Sequence, residues 1–233
     1  MKEKEMIPML QLLYHGSQFE ITKPTFGMGK PYNDYGLGFY CTDQLDMGKE
    51  WAVSLDRDGF ANAYRLELDG LKVLNLNTEP YCILHWLAVL LENRQFDMPL
   101  PLAQDARNYL LDSFAVNYED YDLMVGYRAD DSYFSFAQDF INGTISYRQL
   151  GNAVHLGKLG QQIVLKSEKA FERIEFLSAE PVKSEEWYAR KALRDKFARK
   201  EYCNTERNRR QRGDLYITTI LDEEMKPDDP RLR

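Results

Sequence analysis

Strand-like segments of this chain fall at its two ends, and helical periodicity fills the middle. Met9 to Tyr14, Leu37 to Thr42 and Ala63 to Leu68 read as strands at the front, and Gln161 to Lys166 and Arg173 to Leu177 at the back. Between them lie an apolar helix from Glu79 to Arg94, a second from about Leu102 to Val116, a short strand from Tyr121 to Tyr127, and helices ending near Ile141 and Leu156. Regular βαβ winding needs strands and helices to alternate throughout, so this distribution predicts an α+β fold. Asp69-Gly70 is a turn signal, which makes Leu71 to Leu76 the expected hairpin partner of the Ala63 strand. Asp43 to Ser54 has helical spacing, with Thr42 or Asp43 available to cap its free N–H groups.

At 233 residues with 44% hydrophobic and 13% aromatic content, the chain can bury a core of its own. The net charge of −7 argues against wholesale wrapping of nucleic acid. Cys41, Cys82 and Cys203 are odd in number and far apart, which disfavours a disulfide framework or a zinc ribbon and makes a reducing cytoplasm the default. Met1 to Met6 mixes charges of both signs and does not read as a secretory signal. The most apolar window, Tyr81 to Leu91, contains His85 and falls short of the ~20 residues a membrane span needs. The expectation is a soluble, cytoplasmic protein without membrane contact.

Two short motifs stand out. The first strand delivers His15, followed at once by Gly16 and Ser17; the second runs Gly36-Leu37-Gly38-Phe39-Tyr40. Glycines beside a histidine and a tyrosine at neighbouring strand ends allow a ligand to approach backbone. Ser17 to Tyr35 is a long loop punctuated by Pro24, Gly27, Gly29 and Pro31, a length usually kept for covering a site. No phosphate-cradling loop is present: Gly36-x-Gly38 opens no helix, and Gly27-x-Gly29-Lys30 has the wrong spacing. His85 and His155 sit in separate helical stretches and read as structural, and the sequence offers no metal-ligand cluster.

Taken together, Leu13-Tyr14-His15-Gly16-Ser17 and Gly36-Leu37-Gly38-Phe39-Tyr40-Cys41-Thr42-Asp43 resemble the first two signatures of the ADP-ribosyltransferase superfamily, in its diphtheria-toxin and poly-ADP-ribose-polymerase branch. More closely, the chain resembles a bacterial family of that clan known only as a domain of unknown function. The similarity runs from about Leu10 to Leu177. It implies a split antiparallel or mixed β-sheet with helices between the strands over residues 9–180, leaving 181–233 as a basic helical extension with a loose tail.

The resemblance also implies roles. His15 would hydrogen-bond a ribose hydroxyl of NAD, the Gly16 backbone would hold the nicotinamide carboxamide, and Ser17 and Gly38 would line the same pocket. Tyr40 would stack on the nicotinamide ring, with Trp51 as its second aromatic face; otherwise Trp51 is a tryptophan on the buried side of a helix. The third signature is a carboxylate that starts a late strand. Here Gly160-Gln161-Gln162-Ile163-Val164-Leu165 matches it, and the apolar register places Gln162 at the key position, with Gln161 as fallback. An amide can orient ribose but brings no negative charge to an electron-poor sugar as nicotinamide leaves. Asp130 and Asp131 are either an N-cap pair or pocket acids.

The resemblance therefore implies a mono-ADP-ribosyltransferase, a glycosyltransferase with NAD as substrate, no metal, and Gln in place of the usual catalytic Glu. Its acceptor would be an unidentified protein or nucleic acid, and it could act as a bacterial toxin or effector beside a small helical antitoxin-like protein. The alternatives are a catalytically inactive NAD-binding or partner-binding module and an NAD glycohydrolase. The basic stretch from Arg190 to Arg212 reads as a solvated face or as a surface for an acidic partner or nucleic acid.

Overall fold

The computed structural model describes residues 9–233; Met1 to Met6 lie outside the described residues. In chain order the elements are β1 (Leu10–Ser17), β2 (Phe39–Thr42), α1 (Leu45–Ala52), β3 (Gly59–Glu67), β4 (Val73–Asn75), α2 (Ile83–Asn93), α3 (Pro101–Ser113) and β5 (Leu123–Gly126). After them come α4 (Asp131–Ile141), α5 (Tyr147–Ala153), β6 (Gln162–Leu165), α6 (Glu168–Glu172), β7 (Ile174–Val182), α7 (Ser184–Glu201) and α8 (Ile217–Asp222). The architecture is α+β, as the segregated pattern predicts: one seven-stranded mixed sheet in the order β4-β5-β6-β2-β1-β3-β7.

Period-two alternation divides the core between the two faces. Met124 and Val164 point into the larger cluster with α2, α3, α4, α5 and α8, where Trp86, Phe136 and Phe140 are fully enclosed. Leu123, Val125, Ile163 and Leu165 point the other way, into a smaller cluster with Leu13, Phe39 and Tyr64. Tyr40 and Gln162 alternate in step with Val164, so both belong to the face of the larger core.

The sheet has a seam. β1 and β3 share eight registered pairs, from Leu10 with Glu67 to Ser17 with Phe60, whereas β1 and β2 share the single pair Tyr14 with Thr42. Past that point the strands part, and α1 lies against the opening. The crossing is close because two glycines face it. A Cβ on Gly16 would fall 2.2 Å from the Gly48 carbonyl oxygen, and one on Gly48 would fall 2.9 Å from Tyr14 Cβ.

Three expectations are corrected. Leu71 to Leu76 does not return beside β3. Both edges of β3 are taken, by β1 and β7, and β4 instead crosses to the far end of the sheet and runs parallel to β5. Asp122 secures that crossing by accepting from the Lys72 N–H at 2.8 Å. Neither Thr42 nor Asp43 is the N-cap of α1, which is Gln44; Thr42 Oγ1 accepts from the Gln44 N–H at 3.2 Å. The C-terminal residues are not a loose tail. Ile217, Ile220, Met225 and Leu232 are buried in the larger core, while Tyr109 and Tyr147 donate hydroxyl hydrogen bonds to the carbonyls of Met225 and Leu232 at 2.7 Å. The basic stretch is helical to Glu201 in α7 and continues as a π-helical turn from Tyr202 to Arg207. Among the described residues no helix is long and apolar enough to cross a membrane.

Candidate functional site

A cavity of about 980 Å³ opens at the seam, near the upper end of the range for ligand pockets. His15, Gly16, Ser17, Gly38, Tyr40 and Trp51 all line it, together with Asp130 and Gln162. Part of the 18–34 loop covers it, including Lys23, Met28 and Lys30. Gln161 is not among the lining residues, so of the two adjacent amides it is Gln162 that faces the cavity.

His15 bridges the seam. Its Nδ1 lies 2.7 Å from the Tyr40 carbonyl oxygen, so Nδ1–H donates and the tautomer is set, leaving the Nε2 lone pair as acceptor. Its ring stacks on Phe39 with centroids 4.4 Å apart. Burial pushes the imidazole pKa below its usual value, against the pull of the Tyr40 carbonyl, so His15 is neutral near pH 7. Tyr40 is anchored in turn: its hydroxyl donates to the Gly36 carbonyl at 2.5 Å and accepts from the Tyr35 N–H at 3.0 Å. Gly36 sits at φ +69°, a left-handed conformation that favours glycine. Burial raises the Tyr40 phenol pKa, which keeps it protonated.

The glycines are also required by packing. Gly16 is needed because α1 backbone occupies the space its side chain would fill, and Gly38 because Val164 Cγ1 would sit 2.5 Å from a Cβ there. Ser17 stands at the loop's start, where its Oγ accepts from the Phe19 N–H at 3.2 Å.

Trp51 is partly covered, with the Arg128 guanidinium 3.5 Å from its ring centroid. Arg128 itself is 2% exposed, and burial brings its pKa down to about 10. Asp130 occupies the N-cap position of α4 but makes no capping hydrogen bond. Its Oδ2 lies 3.8 Å from Arg128 and 3.7 Å from Arg194 of α7. The Asp131 side chain lies outside the described residues. Asp34, also on the wall, is fully engaged: it accepts from Arg94 Nη1 at 2.6 Å and from the Ala129 N–H at 3.0 Å.

Four buried polar atoms without a hydrogen-bond partner gather at or beside this cavity: Gln162 Oε1, Asp130 Oδ1, Arg128 Nε and Arg194 Nη1. Buried polar groups are ordinarily satisfied by protein or by ordered water, and these four have no protein partner. Two acceptors and two donors suit a molecule that carries both hydroxyls and anionic oxygens. Among the described residues no three His, Cys, Asp or Glu side chains gather to hold a metal ion.

Over residues 11–176 the chain matches the family described as "Protein of unknown function (DUF3990)". The chain belongs to that family. No curated protein and no solved structure matches it. The family match takes in β1 through the first residues of β7 and so nearly all of the cavity lining, but it stops before α7, which brings Lys191 to the rim and Arg194 to Asp130.

Arg94, Arg128 and Asn62 lie outside the motifs, and Arg194 belongs to the basic stretch expected as a solvated face or partner surface, yet its side chain is 13% exposed. Asn62 is fully buried on β3, where its Oδ1 accepts from the Ile21 N–H at 2.9 Å and its Nδ2 donates to the His15 carbonyl at 3.3 Å. It ties the covering loop to the histidine strand. An asparagine amid the alternating apolar residues of Gly59 to Glu67 was the available signal, because Asn is depleted from strands. His85 is structural, accepting the Cys82 N–H through Nδ1 at 3.0 Å.

Proposed function

We propose that this chain is a mono-ADP-ribosyltransferase that takes NAD as substrate and passes ADP-ribose to a nucleophilic acceptor. The observation that carries this reading is the seam: the split between β1 and β2 gathers His15, Tyr40 and Gln162 on one cavity. NAD brings ribose hydroxyls and a diphosphate, and the polar and cationic side chains lining the cavity, Gln162 and Arg128 among them, fit both kinds of group.

In the reaction the bond between the nicotinamide nitrogen and the ribose anomeric carbon breaks. Its electron pair leaves with nicotinamide, and positive charge develops on the sugar. His15, neutral and fixed by its Nδ1 bond, accepts a ribose hydroxyl at Nε2. Tyr40, held by its hydroxyl, offers its ring to the nicotinamide, and Gln162 Oε1 accepts a second ribose hydroxyl. The covering loop keeps water from the reacting carbon. Orientation accounts for much of such a rate, because each group is held before substrate arrives.

A second reading, an NAD-binding module without turnover, is favoured by one observation: Gln162 carries no charge. Incubating the purified chain with NAD labelled in the adenylate and with cell lysate separates the two. Labelled macromolecule together with free nicotinamide supports transfer, and free nicotinamide alone indicates hydrolysis. Intact NAD with measurable binding indicates the silent module. His15→Ala and Tyr40→Ala should each remove binding or turnover, and full activity in both variants would overturn the site.

A further inference from the structure

We propose that Asp130, held by an arginine from beyond the family match, supplies the negative charge that Gln162 lacks. This inference rests on the transferase reading and deepens it. Among the described residues two carboxylates line the cavity, Asp34 and Asp130. Asp34 has both oxygens committed, one to Arg94 and one to the Ala129 N–H. Asp130 differs. Its Oδ2 faces two guanidinium groups at 3.7 and 3.8 Å, while its Oδ1 is buried with no partner. Asp130 is thus the carboxylate on the wall whose oxygens are not both committed to hydrogen bonds.

Its position suits the role. Gln162 is the register partner of Gly126 at the end of β5, and shortly after Gly126 the chain reaches the same cavity at Arg128, Ala129 and Asp130. A carboxylate there stabilises positive charge on the ribose as the electron pair departs with nicotinamide; the acceptor's lone pair then closes the new bond at the anomeric carbon, and the acceptor's proton goes to solvent. The negative charge stands on the loop leading into α4 instead of on β6.

Asp130 is set in place from outside the catalytic fold. Arg194 of α7 is anchored by Glu50 of α1, with Nε 2.7 Å from Glu50 Oε2, and the two side chains are 13% and 7% exposed. Its Nη2 then reaches Asp130. Arg194 is a positioning residue: it acts through the carboxylate, as groups behind a reacting side chain commonly do. On this account α7 is part of the site, although the family match ends at residue 176.

The test measures nicotinamide release and NAD binding side by side in full-length D130N, Q162E and D130N/Q162E. D130N should lose on the order of 100-fold in turnover, the scale for removing one preorganised electrostatic group, with NAD affinity within about threefold of wild type. Q162E in the D130N background should recover at least about tenfold, because it returns a carboxylate to the same cavity. D130N turnover within about twofold of wild type, or a double variant no faster than D130N, overturns the proposal.

Should D130N not fold, Q162E alone decides. A second charge beside an existing one changes turnover by less than about threefold, whereas a rise of about tenfold would show that the wild-type cavity lacks the charge. R194Q should lower kcat with little change in KM, and R194K should restore part of it. A loss confined to thermal stability would instead make Arg194 structural. Wild-type protein that leaves NAD intact overturns the transferase reading itself and takes this inference with it, a result distinct from active wild type with active D130N.

Discussion

Gly16→Ala tests why a glycine follows the histidine. If Gly16 served only to let a ligand touch backbone, alanine would leave the protein as stable as before and weaken binding alone. The structure gives the opposite expectation. The new Cβ would stand 2.2 Å from the Gly48 carbonyl oxygen, 2.5 Å from the Ala52 nitrogen and 2.6 Å from Trp51 Cβ. Two of these are backbone atoms of α1, so no side-chain rotation relieves them; the helix must retreat by about 1 Å to reach even a tight contact. It has little room to retreat, because Gly59 packs on the Ala52 carbonyl so closely that a Cβ there would also overlap it, and Glu50 is tied to Arg194. Overpacking a tight site costs about 1–3 kcal/mol, and backbone contacts on a restrained helix place this one near the top of the range, ~3 kcal/mol. For a chain of this size each kcal/mol lowers Tm by about 2–4 °C, so thermal unfolding followed by circular dichroism should show a drop of roughly 6–12 °C. A drop below about 2 °C would refute the packing argument.

Gly151→Ala is the control: a Cβ on this α5 glycine meets nothing within 4 Å, so the variant should gain about 0.5–1 kcal/mol in chemical denaturation. Ile220→Ala should cost about 3 kcal/mol, since the side chain is fully buried in the main core, whereas a loose tail would give no change in denaturation midpoint. His15 is buried with its pKa below the unfolded value of 6.5, so the unfolded chain binds more protons as the medium acidifies. That contribution to stability is complete above pH 6.5 and is lost as pH falls through the folded pKa; a urea midpoint that declines between pH 7.5 and 5, less so in His15→Asn, would show it.

Local pattern was enough to locate most strands and helices, because alternation and helical spacing report directly which side of an element is buried. Gln162 was legible for the same reason: Ile163, Val164 and Leu165 fix the faces of β6, and with them which amide meets the cavity. Partner choice was not. β4 has three residues, too few to encode a neighbour, and the turn at Asp69-Gly70 specifies only that the chain bends. The arginines were invisible because each acts across a long stretch of chain, Arg194 on Glu50 and Arg94 on Asp34. The tail misled because Ile217, Ile220, Met225 and Leu232 are scattered among charges, without a run long enough to show a period.

The candidate site and the seam have a common physical origin. Where paired strands part, backbone groups that would have joined the ladder must find other partners or remain unsatisfied at a cost. Here side chains take over. His15 Nδ1 donates to the Tyr40 carbonyl, Asn62 Nδ2 to the His15 carbonyl, and the Tyr40 hydroxyl serves both the Gly36 carbonyl and the Tyr35 N–H. Each of these bonds fixes the orientation of a group on or behind the cavity wall. The histidine tautomer, the attitude of the tyrosine ring and the anchorage of the covering loop are therefore set by the requirement to satisfy the open seam. The order of this wall comes from the folding of the sheet itself, and a substitution at His15, Tyr40 or Asn62 must disturb stability and the shape of the cavity together.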